Sequence, residues 1–163
     1  MILPKHALIE GKVVSNLISD SQFQPAGVDL TLKDAFVFES AGSIDFDNSE
    51  RKLSEVKKLE FDAKGWLHLA KGAYKIVYNE AVKIPSDCIA LAFPRSSLLR
   101  CGAFLQCAVW DPGYEGRSEA LLIVRNEHGV TFKKGAKIGQ MIFIRLAEDA
   151  TSVYEGRYKG ENK

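Results

Sequence analysis

Two short stretches of the chain carry side chains suited to phosphate chemistry. The first, residues 95–100, contains guanidinium and hydroxyl donors that match phosphate oxygens, at Arg95, Ser96, Ser97 and Arg100. The second, residues 111–116, reads Asp-Pro-Gly-Tyr-Glu-Gly and places one acid, Asp111, and one aromatic ring, Tyr114, at a Pro-Gly turn. Each stretch also has a purely structural explanation, as a serine-capped helix and as a common turn. Their pairing across a short apolar strand favours a site for a small phosphorylated ligand.

The elements that position these stretches have the periodicity of β-strands. Short apolar or alternating runs recur about every ten residues with turn residues between them, which indicates an all-β sandwich or barrel. One short helix is predicted over 3–11, and the whole chain, 1–163, is predicted to be one domain. Strands are predicted over 13–18, 28–32, 35–39, 44–46, 59–61, 66–69, 74–78, 82–84, 88–93, 118–126, 131–132 and 141–146.

Three further features attract attention on these elements. Asp29 alternates with Val28 and Leu30, so it points away from the face that they bury, and aspartate is disfavoured within strands; we therefore expect the carboxylate to be used. Gln140 opens an apolar strand and places an amide at a sheet end. Residues 154–163 are basic, aromatic and rich in glycine, which fits either a frayed end or a flexible arm that closes on a ligand.

Composition excludes several classes of function. With 22 basic and 21 acidic residues the net charge is +1, so no general field attracts nucleic acid or a membrane surface. The three cysteines lack CxxC spacing, which predicts reduced thiols; a zinc site from Cys101, Cys107 and a distant histidine is the alternative. No apolar run approaches the ~20 residues of a membrane span, so we expect a cytoplasmic protein. No P-loop or GxGxxG string is present.

The ordered motifs resemble those of the dUTPase and dCTP deaminase superfamily, particularly its archaeal-type members. The four successive family motifs are matched by 24–30, 94–100, 111–116 and 135–140. The segment 154–160 is similar to a Tyr-x-Gly-Lys-Tyr-x-Gly segment in the deaminase branch. This resemblance implies a distorted β-barrel or jelly-roll of the dUTPase type, a homotrimer with sites between subunits, and a deoxynucleoside triphosphate ligand with Mg²⁺.

The resemblance also implies roles for individual residues around the phosphates. The four donors of residues 95–100 would contact the triphosphate, and Gln140 would add a donor to the phosphates or the water. Asp111 would orient or activate the water that attacks the α-phosphorus. Asp29 would hold either the arginine of the second motif or a hydrated metal, two alternatives that stay open here. Mg²⁺ would sit chiefly on phosphate and water oxygens, so no side chain is assigned as a direct metal ligand.

Recognition of the sugar and the base is assigned to the hairpin and the tail. Tyr114 would pack on the deoxyribose and exclude a 2′-hydroxyl. Main-chain groups would read the base, from Cys107, Ala108, Val109, Trp110, Ala120, Leu121 and Leu122. The terminal arm would close over the triphosphate with Arg157, Tyr158 and Lys159.

Within this superfamily, one position distinguishes deamination from hydrolysis. The deaminase pattern has a catalytic glutamate ten residues after the aspartate of the third motif, where this chain has Leu121. A leucine cannot move protons, so hydrolysis of dUTP to dUMP and pyrophosphate is the expected reaction. The alternatives are a dCTP deaminase, or a bifunctional deaminase and diphosphatase, that uses Glu119, and a non-catalytic nucleotide-binding protein on the same fold.

Overall fold

The structure, a computed structural model that describes residues 1–162, is built largely from β-strands. Two α-helices, α1 (Lys5–Glu10) and α2 (Ser96–Arg100), and one turn of 3₁₀ helix (Asp20–Gln22) accompany them. The strands are β1 (Val14–Ser15), β2 (Phe23–Gln24), β3 (Gly27–Phe38), β4 (Val56–Leu59), β5 (Trp66–Leu69), β6 (Gly72–Tyr78), β7 (Ala81–Lys83), β8 (Cys88–Pro94), β9 (Ala103–Gln106), β10 (Glu115–Gly116), β11 (Glu119–Val124), β12 (Val130–Lys133) and β13 (Lys137–Arg145).

The main sheet is an antiparallel barrel that is almost closed. Its strand order is β8-β13-β3-β6-β11-β9, with β2 and β4 also paired to β3. The two outer strands of this path are brought together by a bridge between Ala90 on β8 and Trp110, just beyond β9. The all-β prediction and the barrel architecture are therefore confirmed. Among residues 1–162, no helix has the length and apolar character needed to cross a membrane.

Two of the predicted strands are a single strand in the structure, at the centre of the main sheet. Residues 28–32 and 35–39 were expected to form two strands, but 27–38 form the single strand β3, with a register shift between Leu32 and Asp34. Such a shift lets the chain bend without ending the strand. Within β3 every residue from Gly27 to Leu32 is buried, so both faces are covered and Asp29 is not an exposed residue.

Gln140 is also placed differently from the prediction. It lies inside β13, where it pairs with Asp29 on one side and with Phe93 on the other, rather than at a sheet end. Gly139, just before it, is part of the same ladder and pairs with Leu30 and Pro94. A side chain at Gly139 would meet Leu105 Cδ1 at 3.0 Å, so glycine here permits close packing across the barrel.

The peripheral predictions were less accurate. No strand forms at 44–46, and only a bridge between Ser43 and Lys52 lies close to it. The strand predicted at 59–61 begins three residues earlier, as β4 (Val56–Leu59), which pairs with β3. The strand predicted over 13–18 shrinks to β1. These segments carry apolar residues, but several of them stay exposed, including Ile18, Ile44 and Phe46, so the local pattern alone did not decide whether a strand formed.

A buried carboxylate ties the start of the chain to the sheet. Glu80 is 1% exposed, and its oxygens accept hydrogen bonds from the Gln22 amide (2.7 Å), the Thr31 hydroxyl (2.6 Å) and the Thr31 main-chain N–H (2.8 Å). The Gln22 amide also donates to the Asp29 carbonyl at 2.8 Å. Glu80 therefore fixes the 3₁₀ turn against the part of β3 that carries Asp29.

Replacing Glu80 should destabilise the fold. In Glu80→Ala three buried donors of Gln22 and Thr31 lose this acceptor, so we expect the free energy of unfolding to fall by about 3–9 kcal/mol, at about 1–3 kcal/mol for each unpaired donor. Urea denaturation at one protein concentration measures the change. Glu39→Ala is the matched control because Glu39 is exposed. A loss no larger than in the control would contradict a structural role for this network.

Candidate active site

A buried carboxylate, Asp29, is the centre of the first half of the site. It is 1% exposed, and its Oδ2 accepts from the Arg95 guanidinium and from Gln24 Nε2 at 3.0 Å and forms an ion pair with Lys137 Nζ at 3.2 Å. Asp29 therefore contacts the arginine of the second motif directly, which is one of the two alternatives left open for it. The Oδ1 atom is buried without a hydrogen-bond partner among the described residues.

The sheet register explains why these groups meet. Asp29 on β3 pairs with Gln140 on β13, and Gln140 pairs with Phe93 on β8, two residues before Arg95. Segments 24–29, 93–95 and 137–140 therefore form adjacent rows at one end of the barrel. The first, second and fourth motifs meet here within one chain, and Gln140 lies beside the Asp29–Arg95 pair.

The donors that follow Arg95 are on the surface. Helix α2 begins at Ser96, and its N-cap is Arg95 in extended conformation with no side-chain capping bond, so the prediction of a serine cap is wrong. Because the hydroxyls of Ser96 and Ser97 do not cap the helix, they remain accessible beside the guanidinium of Arg95. Arg100 is exposed at the last position of the helix. All four predicted phosphate donors thus lie on one connected segment.

The second half of the site is the hairpin that carries Asp111. The main-chain N–H of Tyr114 donates to the Asp111 carbonyl at 3.1 Å, and Gly113 has φ +79°. Proline second and a left-handed glycine third define a type II turn, which confirms the predicted hairpin tip. The Asp111 side chain is exposed and takes no part in the turn bond.

A pocket of about 270 Å³ opens beside Asp111. Its wall includes the predicted residues Ala108, Val109, Trp110 and Tyr114, and four residues that were not predicted as pocket residues, Ser118, Glu119, Tyr154 and Glu161; Tyr158 completes the lining. Of the residues predicted to contact base or sugar, four do not line this pocket: Cys107, Ala120, Leu121 and Leu122. The Cys107 thiol instead lies 3.5 Å from the Tyr78 hydroxyl, and burial raises the pKa of that thiol.

Hydrogen bonds fix the polar groups of the pocket wall. The Tyr114 hydroxyl donates to Glu161 Oε1 at 2.7 Å and lies 3.1 Å from Ser118 Oγ, which also accepts from the Trp110 indole N–H. Burial raises the pKa of Tyr114 well above its ordinary value, so the phenol stays protonated. Burial also raises the pKa of Glu161, although the bond from Tyr114 acts in the opposite direction.

The main-chain groups predicted to read a base fall into two classes. Trp110 exchanges both main-chain hydrogen bonds with Ala90, at 2.9 and 3.1 Å, so its backbone is not available. Ala108 and Val109 lie outside the strands, are exposed, and make no main-chain hydrogen bond among residues 1–162. Both residues line the pocket and their N–H and C=O groups have no main-chain partner there, which makes them the better placed candidates.

The terminal arm lies on the hairpin rather than on the phosphate cluster of the same chain. The N–H of Tyr154 donates to the Pro112 carbonyl at 2.7 Å, and the Tyr154 ring meets the Tyr114 ring edge to face with centroids 5.7 Å apart. Tyr158 reaches the pocket wall. Arg157 and Lys159 are exposed, and Lys159 pairs with Glu155 at 2.6 Å.

The two halves of the site are far apart within one chain. Asp111 follows Trp110, which is bridged to Ala90 on β8, whereas Arg95 follows the end of β8, five residues after Ala90. At roughly 3.3 Å per residue, the backbones of Ala90 and Arg95 are separated by about 16 Å along the strand direction. One phosphate group cannot contact both halves of the same chain.

The donor set does not form a metal cage. Residues 1–162 contain no group of three or more His, Cys, Asp or Glu side chains that could hold a metal ion. The acids of the two halves, Asp29 and Asp111, are well separated, and Asp29 is already paired with cations. These residues fit a cation that arrives on a ligand's own oxygens and waters rather than one bound by the protein alone.

Three residues that contact the predicted site residues were not predicted from the sequence: Lys137, Gln24 and Glu161. Lys137 and Gln24 lie inside the matched motifs, so their polar side chains close to Gln140 and Asp29 in the sequence could have identified them. Glu161 carried no such signal, because its contact with Tyr114 joins positions 47 residues apart.

Comparison with known proteins is consistent across sequence and structure. The profile of the dCTP deaminase-like family matches residues 4–146. The chain is 51% identical to the probable deoxyuridine 5'-triphosphate nucleotidohydrolase of Methanosarcina mazei, over 88% of this chain and 84% of the relative. It is 41% identical to the deoxyuridine 5'-triphosphate nucleotidohydrolase of Methanocaldococcus jannaschii, over 88% and 90% respectively.

A solved structure supports the fold. The crystal structure of the 2'-deoxycytidine 5'-triphosphate deaminase from Agrobacterium tumefaciens superposes with a TM-score of 0.64 at 24% identity, covering 87% of this chain and 47% of that one. The chain thus spans about half the length of that deaminase, and the likeness concerns the fold alone. With its motifs assembled on this barrel and a family profile that spans most of its length, the chain belongs to the dCTP deaminase-like family.

Proposed function

We propose that this chain is a dUTP diphosphatase, which hydrolyses dUTP to dUMP and pyrophosphate and so limits uracil in DNA. The observation that carries the proposal is the 51% identity, over most of both chains, to an archaeal protein named a probable dUTP nucleotidohydrolase. The site supports it chemically, because it combines a segment rich in donors for phosphate oxygens with one exposed carboxylate, Asp111, beside a pocket that would hold the nucleoside. We place the reaction in the cytoplasm.

The triphosphate is held by the segment that begins at Arg95. Its guanidinium is oriented by Asp29, which leaves the remaining N–H groups to donate to phosphate oxygens in a planar, two-pronged arrangement. Ser96, Ser97 and Arg100 add donors from the exposed side of α2, and Gln140 adds an amide. Asp29 is thus a positioning residue that acts through Arg95 rather than a group that touches substrate.

Asp111 is the group that acts on the attacking water. Its carboxylate accepts a proton as the water oxygen forms a bond to the α-phosphorus, and the bond from that phosphorus to the α,β-bridging oxygen breaks. The electron pair leaves with pyrophosphate. Because little covalent chemistry is required of the protein, the positioning of water and phosphate accounts for most of the catalytic effect.

Mg²⁺ carried by the substrate would supply charge neutralisation of the leaving pyrophosphate. The chain's own contribution there is cationic, through Arg95, Arg100 and the lysine at 137. No residue is assigned as a direct ligand, in keeping with the dispersed acids of the site.

Selection of the nucleoside falls to the hairpin pocket. The Tyr114 ring forms part of the wall on which the deoxyribose packs, and its buried position leaves no room to yield to a 2′-hydroxyl. The unpaired main-chain groups of Ala108 and Val109 supply donors and acceptors for uracil. The arm residues Arg157, Tyr158 and Lys159 close over the bound triphosphate.

A homotrimer reconciles the distance between the two halves. A general base acts within about 3 Å of the proton that it accepts, so Asp111 of one chain cannot serve a phosphate held by Arg95 of the same chain. In a cyclic trimer the hairpin of one copy faces the phosphate cluster of the next, and each interface completes one site.

The deaminase alternative depends on Glu119. This residue, and not Leu121, lines the pocket beside Asp111. Its carboxylate is paired with Lys75 Nζ at 2.9 Å and accepts from Asn162 Nδ2 at 3.3 Å, so it is committed to structural contacts. Those contacts disfavour proton transfer between Glu119 and a cytosine amine. The bond from Asn162 also attaches the arm to Glu119.

Substrate assays separate these alternatives. With Mg²⁺ and dUTP we expect stoichiometric pyrophosphate and dUMP, and with dCTP no release of ammonia, because Leu121 provides no general acid or base. Pyrophosphate, ammonia and nucleotides should be followed in the same reactions. Ammonia from dCTP would indicate deamination through another acid, and binding without turnover of either nucleotide would support a non-catalytic role.

Removing the carboxylate of Asp111 should abolish most of the activity. Asp111→Asn is expected to lower kcat for dUTP by about 10²- to 10⁴-fold, the usual contribution of a general base, with a much smaller change in KM. The turn bond uses the Asp111 main chain, so the hairpin should survive. Asp149→Asn, at an exposed residue, is the matched control. Undiminished hydrolysis in Asp111→Asn would exclude it as the base.

Mixing two inactive variants tests whether the site lies between subunits. Trimers assembled at random from equal amounts of Asp111→Asn and Arg95→Gln chains should recover about a quarter of wild-type activity, because a quarter of the interfaces pair an intact arginine with an intact aspartate. Each variant alone is the control. Arg100→Gln can replace Arg95→Gln, since Arg100 is exposed and does not contact Asp29. No recovery with either pair would place the whole site in one chain.

A further inference from the structure

A second pocket, which shares no lining residue with the Asp29 cluster, is rich in cations. It has a volume of about 290 Å³ and lies on the small sheet formed by β1, β7 and β10. Lys12, Lys83 and Arg117 contribute positive charge to its lining, and Glu115 contributes a negative one. Ser15 and Asn16 add neutral polar groups. The charge balance of the lining favours an anion.

The cations of this pocket are not neutralised by the fold. Among residues 1–162, Lys12, Lys83 and Arg117 form no ion pair, whereas most cations near the other site are paired. The Nε–H of Arg117 is buried and has no hydrogen-bond acceptor among the described residues. Because protein atoms cover this Nε–H, the terminal N–H groups of Arg117 are the ones left to meet an anion in the pocket.

The backbone around the pocket is held in an uncommon conformation. Lys12 has φ +48° and Asn16 has φ +59°, and they are two of the four non-glycine residues with positive φ in the described chain. A left-handed lysine costs about 1 kcal/mol or more, and such residues cluster at binding sites. Both residues flank β1, so the strain accompanies the placement of Lys12 and Asn16 in the lining.

The lining also indicates the chemical class of the anion. It contains no aromatic side chain on which a base could stack, and its apolar members are the small residues Val13, Ala81 and Val82. A nucleotide would leave its base without a partner, whereas linked phosphates would meet three cations at once. Three dispersed cations match an anion with several charges better than a single carboxylate.

We propose that this pocket is a binding site for free inorganic polyphosphate of two or three phosphate units, distinct from the site for dUTP. The guanidinium of Arg117 and the ammonium groups of Lys12 and Lys83 donate to its oxygens. The inference rests on the geometry of this pocket and not on the proposed dUTP hydrolysis.

Arg117 connects this pocket to the terminal arm. Its main-chain N–H donates to the Glu161 carbonyl at 3.0 Å, and its own carbonyl accepts from Asn162 Nδ2 at 3.1 Å. An anion that fixes Arg117 therefore stabilises the same residue on which the arm rests. Occupancy of the pocket is expected to slow tryptic cleavage of the arm at Arg157 and Lys159.

Calorimetric titration with sodium tripolyphosphate at low ionic strength and without Mg²⁺ tests the proposal. The background protein is the full chain carrying Arg95→Gln and Arg100→Gln, which weakens binding at the Asp29 cluster. We expect one tripolyphosphate per chain, and a loss of affinity of about tenfold or more on adding Lys83→Gln or Arg117→Gln, since each removes a charge-assisted contact. Lys64→Gln, with the same change of charge at an exposed turn, should have little effect.

Several results would overturn this assignment. They are an absence of binding in the background protein, equal losses in Lys83→Gln and Lys64→Gln, and tighter binding of ATP than of tripolyphosphate, which would indicate a nucleotide site. The arm bonds to Arg117 and not to Lys83, so Lys83→Gln still tests the proposal if Arg117→Gln disturbs folding. Turnover of dUTP by Lys83→Gln with Arg95 and Arg100 intact should be unchanged, so failure here is distinguishable from failure of the proposed function.

Discussion

A carboxylate buried on the central strand is the constraint on which the phosphate half of the molecule depends. Taking an ion such as Asp29 out of water costs several kcal/mol unless cations and hydrogen bonds replace the water. Arg95, Lys137 and Gln24 provide that replacement, and they come from three separate segments. The register of β3, β13 and β8 is therefore tied to the chemistry, because a slip of one residue would move Asp29 to the opposite face and leave its charge uncompensated.

The hairpin half obeys a different constraint. Its pocket is held by neutral hydrogen bonds among Tyr114, Ser118 and Trp110, and by the arm carboxylate of Glu161. Lys75 pairs with Glu119 in the same wall, and burial and the arm that covers the pocket add to its stability. One chain thus carries a rigid, charged half and a half whose lining includes its own terminal segment, which suits a site where substrate must enter before the arm closes.

Family membership alone does not choose the reaction. The same barrel supports hydrolysis of a phosphoanhydride and deamination of a base, and the difference lies in which side chains face the hairpin pocket. Here Leu121 lies outside that pocket and Glu119 is held by Lys75, so the wall offers Asp111 as the accessible acid. Activity toward dUTP is consistent with this wall, and it follows from two positions on β11 rather than from the fold.

The sequence by itself determined the local features: the alternation that makes strands, the Asp-Pro-Gly turn with its left-handed Gly113, and the donors clustered after Arg95. It did not reveal that Asp29 is buried, that Gln140 lies inside a strand, or that Glu161 bonds to Tyr114. Those facts join residues far apart in the chain, and they depend on strand order and register. Local patterns specify how a segment folds, whereas only the closed barrel specifies which segments become neighbours.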